Sequence, residues 1–373
     1  MNDSSSMMLI GIGTAGCAMA RGVSRAFGDG LRYLLVDTDA ASALDSDGES
    51  FTLLGGDRLA GRGAGGDVVS ARLAAEDSIR QINSRLEGVR LAIIVTALGG
   101  GTGGGVTLEA AKHLMTLGIP TVVFATTPFE FEGEGRMAKA SSVMAMIEEA
   151  ANATFLLPLD NLIAGADQMN EALARAIGTV ASGVTLFWRL VGKPGYLRLD
   201  VERIRHVLQR AGRGRFATVT AQGPDRAAEA LAALRNSPLL RTEGAPVRTI
   251  LCGVLAGDDL RLKEISLLAQ GLRGAFGEHA DFELATVNDE QTFCGRLSVV
   301  VMLFENTAKF VDEAAEARTG AGAGVRRPVR RKTALSGVGA SNRGRFSNAE
   351  PTTWQGVNLD TPTYLRYNLS LEF

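Results

Sequence analysis

Six glycines and one threonine form the stretch of this sequence best suited to chemistry, Leu98-Gly-Gly-Gly-Thr-Gly-Gly-Gly105. It follows an apolar segment, Leu91 to Val95, that is predicted to be a buried strand, and it precedes a helix predicted from Val106 to Leu117. Glycine lacks a Cβ and accepts positive φ, so backbone N–H groups can crowd around a ligand. Because those donors stand at a helix N-terminus, they favour an anion. The pattern predicts a phosphate cradle in which Thr102 adds a hydroxyl; the alternative is a tight packing turn.

A second glycine pattern, Gly11-Ile-Gly-Thr-Ala-Gly16, follows a short predicted strand and opens a helix predicted from Cys17 to Phe27. Asp37 follows the next predicted strand, about 20 positions on, as in dinucleotide-binding units. A nicotinamide-dependent oxidoreductase is therefore one interpretation. A third glycine segment, Gly61 to Asp67, argues against it, because one dinucleotide site does not need three glycine loops. The Walker pattern G-x-x-x-x-G-K-[ST] of ordinary P-loops does not occur.

Together these segments resemble the tubulin/FtsZ family. Gly99 to Gly105 resembles its signature GGGTG(T/S)G, with glycine at position 104. Asp37 to Ala40 resembles N-T-D-A with aspartate in place of asparagine, and Gly61 to Asp67 resembles G-x-G-A-G-G-N. Thr126 to Arg136 resembles T-x-P-F-x-F-E-G-x-x-R. The alternation of predicted strands and helices is typical of a parallel, doubly wound α/β sheet that binds ligands at the carboxyl ends of its strands.

The resemblance also implies how the chain is divided. We expect a Rossmann-like parallel-sheet GTP-binding domain, a long central helix, a smaller α+β C-terminal domain and a disordered tail. The limits are 1–168 for the nucleotide-binding domain, 169–191 for the central helix, 192–214 for an interface loop and the following helix, 215–306 for the C-terminal domain, 307–357 for a disordered linker and 358–373 for a C-terminal partner-binding peptide.

The nucleotide-binding residues implied by the resemblance come from every one of these glycine segments and from the central helix. They are Gly13, Thr14, Ala15, Gly16, Cys17, Ala18, Asp39, Ala64, Gly65, Gly66, Gly99, Gly100, Gly101, Thr102, Gly103, Gly104, Gly105, Glu132, Arg136, Leu173 and Ile177. Glu132 and Arg136 match residues that engage the sugar region of the nucleotide, although their spacing also fits a surface ion pair. Leu173 matches the residue that stacks on the base. Ile177 matches the base-reading residue but accepts no hydrogen bond, so strictness for guanine stays open.

The catalytic residues implied by the resemblance lie in a loop, Gly195 to Arg203, that would enter the nucleotide site of the next subunit. Asp200, together with Glu202, would position the attacking water. The family has asparagine and aspartate where this chain has Arg198 and Arg203. Two interpretations follow: a GTPase completed by its neighbour, or a nucleotide-binding filament or regulatory protein with little or no hydrolysis.

The end of the chain resembles a docking peptide on a tether. Gly320 to Arg345 is rich in glycine, alanine, serine and arginine, and we interpret a basic cluster at 326–332 as part of a solvated linker. The alternatives for this cluster are binding to nucleic acid and binding to an acidic lipid surface. Leu359 to Arg366 resembles the peptide L-D-[IV]-P-x-F-L-R, which within the family is typical of the FtsZ branch and binds membrane-tethering division proteins. The implied partner-binding residues are Asp360, Pro362, Tyr364, Leu365 and Arg366.

Composition narrows the function further. The chain has 373 residues, a net charge of −2 and three widely spaced cysteines, so neither specific nucleic-acid binding nor a disulfide framework is expected. No signal peptide, membrane span or histidine cluster typical of a metal site is apparent, and we expect a cytoplasmic protein. The resemblance implies GTP or GDP with Mg²⁺, head-to-tail self-assembly, and a place in the bacterial cell-division ring.

Overall fold

The computed structural model describes residues 6–28, 30–43, 51–163, 168–208, 211–242, 246–305, 353–354 and 357–358. The chain forms two compact units, Met1–Glu316 and Ala317–Phe373. The strands of the first unit are β1 (Met7–Ile12), β2 (Tyr33–Asp37), β3 (Phe51–Leu53), β4 (Leu91–Ala97), β5 (Thr121–Thr127), β6 (Ala153–Pro158), β7 (Gly212–Gln222), β8 (Val247–Ala256), β9 (Asp281–Asn288) and β10 (Arg296–Glu305). They form one ten-stranded sheet in the order β3-β2-β1-β4-β5-β6-β7-β10-β8-β9.

Helices cover the sheet. They are α1 (Gly13–Phe27), α2 (Gly56–Leu59), α3 (Val68–Ser78), α4 (Gly101–Thr116), α5 (Glu134–Ala150), α6 (Met169–Gly192), α7 (Val201–Leu208), α8 (Arg226–Asn236), α9 (Leu262–Phe276) and α10 (Glu290–Phe293). Short 3₁₀ segments lie at Ala40–Ala43, Ile79–Arg85, Glu130–Glu132, Leu159–Asn161 and Pro238–Leu240.

The first part of the sheet is parallel from β3 through to β6. Its strands are nearly continuous apolar runs because both faces are covered, as in Ile93 and Ile94, which belong to two different cores. One core includes α1 and α6, and the other includes α3, α4 and α5. The winding reverses between β1 and β4, so the crevice at their carboxyl ends is a topological switch point, where such sheets bind ligands.

The second part of the sheet is mixed. β7 continues from β6 in parallel, whereas β10 is antiparallel to both β7 and β8, and β9 is parallel to β8. Helices α8 and α9 pack on this part around a third apolar core. The predicted fold class is thereby confirmed. The predicted domain limits stay a prediction; β7 begins at Gly212, three residues before the proposed start of the C-terminal domain.

Two predicted helix starts are wrong. α4 begins at Gly101 and not at Val106, and α1 begins at Gly13 and not at Cys17, so much of each glycine segment is itself helical. Glycine costs about 1 kcal/mol relative to alanine inside a helix. Here that cost is outweighed by packing, because a Cβ on Gly103 would lie 2.0 Å from the Ala97 carbonyl oxygen. The predicted central helix, 169–191, agrees closely with α6.

The second unit contains a two-residue antiparallel pair, Thr353–Trp354 with Val357–Asn358. The predictions for the linker from 307 onward, the basic cluster, and the partner-binding residues Asp360, Pro362, Tyr364, Leu365 and Arg366 lie outside the described residues. Among the residues that are described, no helix is long and apolar enough to cross a membrane.

Candidate nucleotide-binding site

Two helix N-termini meet at the switch point. β1 and β4 are neighbouring parallel strands, with Ile12 opposite Thr96, so α1 and α4 both begin at the same edge of the sheet. A Cβ on Gly13 would lie 3.3 Å from the Gly103 nitrogen, which shows how closely the two turns approach. The N–H groups at the start of a helix precede its first internal hydrogen bond. In α1 and α4 these are the N–H groups of Gly13, Thr14, Ala15, Gly100, Gly101, Thr102 and Gly103.

These same residues line a cavity. Its walls are Ile12, Gly13, Thr14, Ala15, Ala97, Leu98, Gly100, Gly101, Thr102, Gly103 and Arg136. The cavity volume is about 240 Å³, slightly below the ~300–1,000 Å³ of typical small-molecule sites. It therefore suits the phosphate groups of a nucleotide better than a whole nucleotide. Backbone donors and two helix dipoles make it attractive to anions.

Arg136 is the cationic side chain among the cavity walls. It stands in the first turn of α5, and its Nη1 lies 2.6 Å from Glu132 Oε2. Glu132 in turn accepts a hydrogen bond from the Phe129 N–H at 2.9 Å. The predicted ion pair therefore exists, and it also faces the site, because Glu132 holds a guanidinium at the edge of the phosphate cavity.

Asp37 is a site residue that the list drawn from the sequence omitted. Its side chain is buried at the end of β2. One carboxylate oxygen accepts hydrogen bonds from the N–H of Thr38 (2.7 Å) and Asp39 (3.2 Å), and the other from the hydroxyls of Ser42 (2.6 Å) and Thr14 (3.2 Å). Asp37 thus ties the segment after β2 to the first turn of α1. The sequence does carry a signal for it, because an acidic residue at this strand end is typical of dinucleotide-binding units.

Thr102 joins the same network from the other helix. Its hydroxyl lies 2.6 Å from that of Thr38, so a hydrogen bond links the start of α4 to the segment after β2. Asp39 follows Thr38 in the chain, and its Oδ1 accepts a hydrogen bond from the Ala41 N–H at 2.9 Å. The backbone of Asp39 forms an isolated antiparallel β-bridge with that of Arg62. Asp39 is close to the cavity but is not one of its walls.

The third glycine segment packs against the central one. A Cβ on Gly101 would lie 2.7 Å from the Asp67 carbonyl oxygen and 3.0 Å from the Ala64 Cβ. Asp67 caps α3 by accepting hydrogen bonds from the N–H groups of Val69 and Ser70, and the Ser70 hydroxyl bond lowers the pKa of its carboxyl. The predicted ligands Ala64, Gly65 and Gly66 therefore border the start of α4 without lining the cavity.

Several glycines that are predicted to contact phosphate are also closely packed, and their contact with a nucleotide stays a prediction. A Cβ on Gly16 would lie 2.5 Å from the Val95 carbonyl oxygen, and one on Gly105 would lie 2.5 Å from that of Val68. At Gly104, where the family usually has threonine or serine, Val143 occupies the space, 3.2 Å from an added Cβ. Gly99, with φ of 93°, accepts the close approach of Pro128.

Cys17 and Ala18 lie one turn inside α1, where N–H groups bond within the helix. The Cys17 thiol is buried and donates to the carbonyl oxygens of Gly11 (3.5 Å) and Val36 (3.8 Å). Burial raises the pKa of this thiol to about 12, so it is not a nucleophile. The N–H groups of Cys17 and Ala18 therefore bond within the helix and do not point into the cavity.

The two predicted base contacts lie on α6. Ile177 packs on α1, with its Cγ2 3.8 Å from the position of a Cβ on Gly22. Leu173 stands one turn earlier and is 40% exposed, so it offers an apolar surface to a ligand. Neither residue is a wall of the cavity.

The predicted catalytic residues lie at the opposite edge of the sheet. Asp200 accepts a hydrogen bond from the Arg203 N–H at 2.8 Å and so caps α7. Glu202 forms an ion pair with Arg90, the residue before β4. The seven residues of β4 separate Arg90 from the glycine cavity by about 23 Å. One chain therefore does not bring Asp200 or Glu202 to its own cavity.

The fold is an α/β sheet of the kind that binds nucleotides, and its candidate site is a cavity built from helix N-termini at a switch point. Residues 6–167 match the Tubulin/FtsZ family, GTPase domain. The chain therefore carries a tubulin/FtsZ GTPase domain in this part, as the resemblance implied.

Named relatives agree with this assignment. The chain is 29% identical over 369 residues to "Cell division protein FtsZ" of Pseudomonas putida, covering 96% of this chain and 88% of that protein. Among solved structures, it resembles an FtsZ dimer of M. jannaschii (TM-score 0.74, 23% identity, 80% of this chain and 88% of that one). It also resembles a GTPγS-bound protofilament of CetZ2 from Haloferax volcanii (TM-score 0.69, 22% identity, 85% and 99%). The two structures establish the shared fold.

Proposed function

We propose that this protein binds GTP, polymerises head to tail and forms part of the bacterial cell-division ring, in the cytoplasm at the division site. The observation that carries the proposal is the convergence of the α1 and α4 N-termini on one cavity. The division role is supported by the relatives called cell division protein FtsZ, and the polymer by a structural neighbour solved as a protofilament.

In this proposal the phosphates of GTP accept hydrogen bonds from the backbone N–H groups of the two first turns, and Arg136 adds positive charge. Mg²⁺ is expected to arrive with the nucleotide. Among the described residues no group of three histidine, cysteine or acidic side chains could hold a metal ion. Mg²⁺ is usually held by one or two carboxylates together with substrate phosphates, and Asp39 is the carboxylate suited to that role.

Hydrolysis is proposed to need a second subunit. Asp200 and Glu202 lie at the amino edge of the sheet, whereas the cavity lies at the carboxyl edge. Stacking copies head to tail would bring Asp200 of one subunit to the GTP of the next, where a carboxylate can position water.

The alternative is a filament or regulatory protein of the same family with little hydrolysis. Arg203 stands where the family has a second aspartate, and its guanidinium forms a bidentate ion pair with Glu283 (Nη2 to Oε1, 2.7 Å; Nε to Oε2, 3.1 Å). Glu202, the neighbouring carboxylate, is engaged by Arg90. These pairs favour a packing role for α7, and Asp200 is then the carboxylate left for the water.

Phosphate release from GTP, measured across protein concentrations, separates the two functions. We expect a rate per subunit that rises above a threshold concentration, because the site is completed by a neighbour. A rate near zero at every concentration, with GTP still bound, would favour the alternative. Failure to bind GTP would contradict both.

The C-terminal peptide is proposed to dock on membrane-tethering division proteins. A chain ending at residue 358 lacks the five residues implied in that contact. We expect it to polymerise with GTP as the full chain does and to lose its place at the division site. Fluorescence imaging of both chains in dividing cells tests this, and normal ring placement of the shortened chain would contradict it.

A further inference from the structure

The buried carboxylate of Asp37 controls which hydroxyl protons can point into the cavity. An ionised carboxylate only accepts hydrogen bonds, whereas a hydroxyl has a single proton to donate. The hydroxyls of Thr14 and Ser42 both reach the same carboxylate oxygen, Oδ2, at 3.2 and 2.6 Å. The Ser42 proton is therefore directed at Asp37, and the Thr14 proton at Asp37 or at the Ser42 hydroxyl oxygen, which lies 3.3 Å away. Thr14 is a wall of the cavity, so a phosphate beside its hydroxyl would meet oxygen lone pairs and no proton.

Charge acts in the same direction. Asp37 is 1% exposed, so water screens its negative charge poorly. Arg21 is the cation nearby, but its Nη2 donates to the Ser42 carbonyl oxygen at 2.5 Å and not to the carboxylate. A bound phosphate would thus sit one hydroxyl away from a buried negative charge.

We propose that Asp37 is a positioning residue that turns the Thr14 hydroxyl away from the nucleotide phosphates and makes this site hold its nucleotide more loosely than an asparagine there would. The inference rests on the proposed function, because it takes the ligand of the cavity to be GTP. Asparagine could keep both backbone hydrogen bonds at its Oδ1. Its Nδ2 would donate to the hydroxyl oxygens, which frees the Thr14 proton for a phosphate.

The test is the GTP affinity of the purified full chain, measured calorimetrically below the concentration at which phosphate release begins to rise. Asp37→Asn should bind GTP about three- to tenfold more tightly, the range that one additional hydrogen bond usually contributes. Asp160→Asn is the matched control: Asp160 is a carboxylate at the same sheet edge that accepts a hydrogen bond from the Glu130 N–H at 3.2 Å. It should change the affinity less than about twofold, since it holds no hydroxyl of the cavity.

Thr14→Val supplies a second, independent measurement. Valine keeps the shape of threonine without the hydroxyl. In the protein that has Asp37, Thr14→Val should weaken GTP binding by at most about threefold. In the Asp37→Asn protein, the same substitution should weaken GTP binding by about tenfold or more. A thermal unfolding midpoint for each variant confirms that it is folded.

Weaker or unchanged GTP binding by Asp37→Asn would overturn the inference, and weakening seen only with Mg²⁺ would mean that Asp37 helps to hold the metal. Equal losses of GTP affinity from Thr14→Val in the Asp37 and Asp37→Asn proteins would overturn the inference as well. That outcome does not depend on how Asp37→Asn changes stability. A wild-type chain that binds no GTP would overturn the proposed function together with this inference, whereas tight wild-type binding with no effect of Asp37→Asn overturns this inference alone.

Discussion

The two edges of the parallel sheet are built from different parts of the chain. At the carboxyl edge, backbone N–H groups and glycines form the cavity, and Arg136 is its one charged wall among the residues described. At the amino edge, charged side chains are tied to one another, as in Arg90 with Glu202 and Arg203 with Glu283. A backbone site tolerates side-chain divergence as long as the close packing is kept. A side-chain site changes its chemistry with each substitution, and the departure at Arg203 lies there.

The largest effect is expected when a side chain is added to a glycine at the carboxyl edge of the sheet. Gly103→Ala would place a Cβ 2.0 Å from the Ala97 carbonyl oxygen. We expect it to lower the free energy of unfolding by about 2–4 kcal/mol through strain and overpacking, and to abolish GTP binding. Gly178→Ala in α6, which meets nothing within 4 Å, is the control and should be neutral or slightly stabilising. Denaturant unfolding measures both. Equal stability of the two variants would mean that α4 does not need its glycines for packing.

Removing the charge of a carboxylate at the amino edge should lower the rate of GTP hydrolysis and leave the fold intact. Asp200→Asn keeps an oxygen to cap α7 but removes the charge. We expect polymer-dependent phosphate release to fall by about 10²-fold or more, because positioning of the water is lost. GTP affinity of the dilute protein, measured by titration, should stay the same. A parallel loss of affinity would show that Asp200 acts in its own subunit.

Substituting Arg136 tests how much a charged side chain contributes at the carboxyl edge of the sheet. Arg136→Gln removes the cation of the cavity wall and the partner of Glu132. We expect GTP affinity to fall about ten- to hundredfold, since hydrogen bonds from a cation to phosphate contribute roughly 1.5–3 kcal/mol. Glu132→Gln should have a smaller effect, because it only loosens the guanidinium. If a titration finds no change for Arg136→Gln, the pair is a surface ion pair without a role in binding.

The smallest effect is expected where the amino edge is most exposed. Arg90 and Glu202 are each about half exposed, and exposed ion pairs contribute about 0–1 kcal/mol. Glu202→Gln should therefore change the free energy of unfolding by less than about 1 kcal/mol, and added salt should erase the difference. A large loss of phosphate release by Glu202→Gln, comparable to that of Asp200→Asn, would instead make Glu202 part of the site that acts on the next subunit.

Most of the fold could be predicted from the chain's pattern. Continuous apolar strands such as 91–97, alternating with helices, indicate a parallel sheet covered on both faces, and α6 agrees with its prediction to one residue. The helix starts could not be predicted, because glycine's poor intrinsic preference for helix is overridden only by the close approach of α4 to β4, as at Gly103.

The candidate site was predicted in part. The first turns of α1 and α4 line the cavity as the glycine segments suggested, and Arg136 joins them. The role of Asp37 could not be predicted, because it depends on which hydroxyls it meets across the chain, and sequence distance does not show that Thr14 and Ser42 share one of its oxygens. Nor does the sequence show that Gly104 and Gly105 pack closely against Val143 and Val68, which lie on other helices.

By itself, then, the sequence determined that this chain forms a doubly wound α/β sheet, carries a tubulin/FtsZ GTPase domain, and has glycine-rich segments at its strand ends. Those properties follow from local patterns of apolar residues and glycines, which act over a few positions of the chain. The tertiary structure alone decided which N–H groups remain available, which glycines are needed for packing, and that Asp200 lies at the far edge from the cavity. These depend on contacts between distant segments, and such contacts exist only once the sheet has assembled.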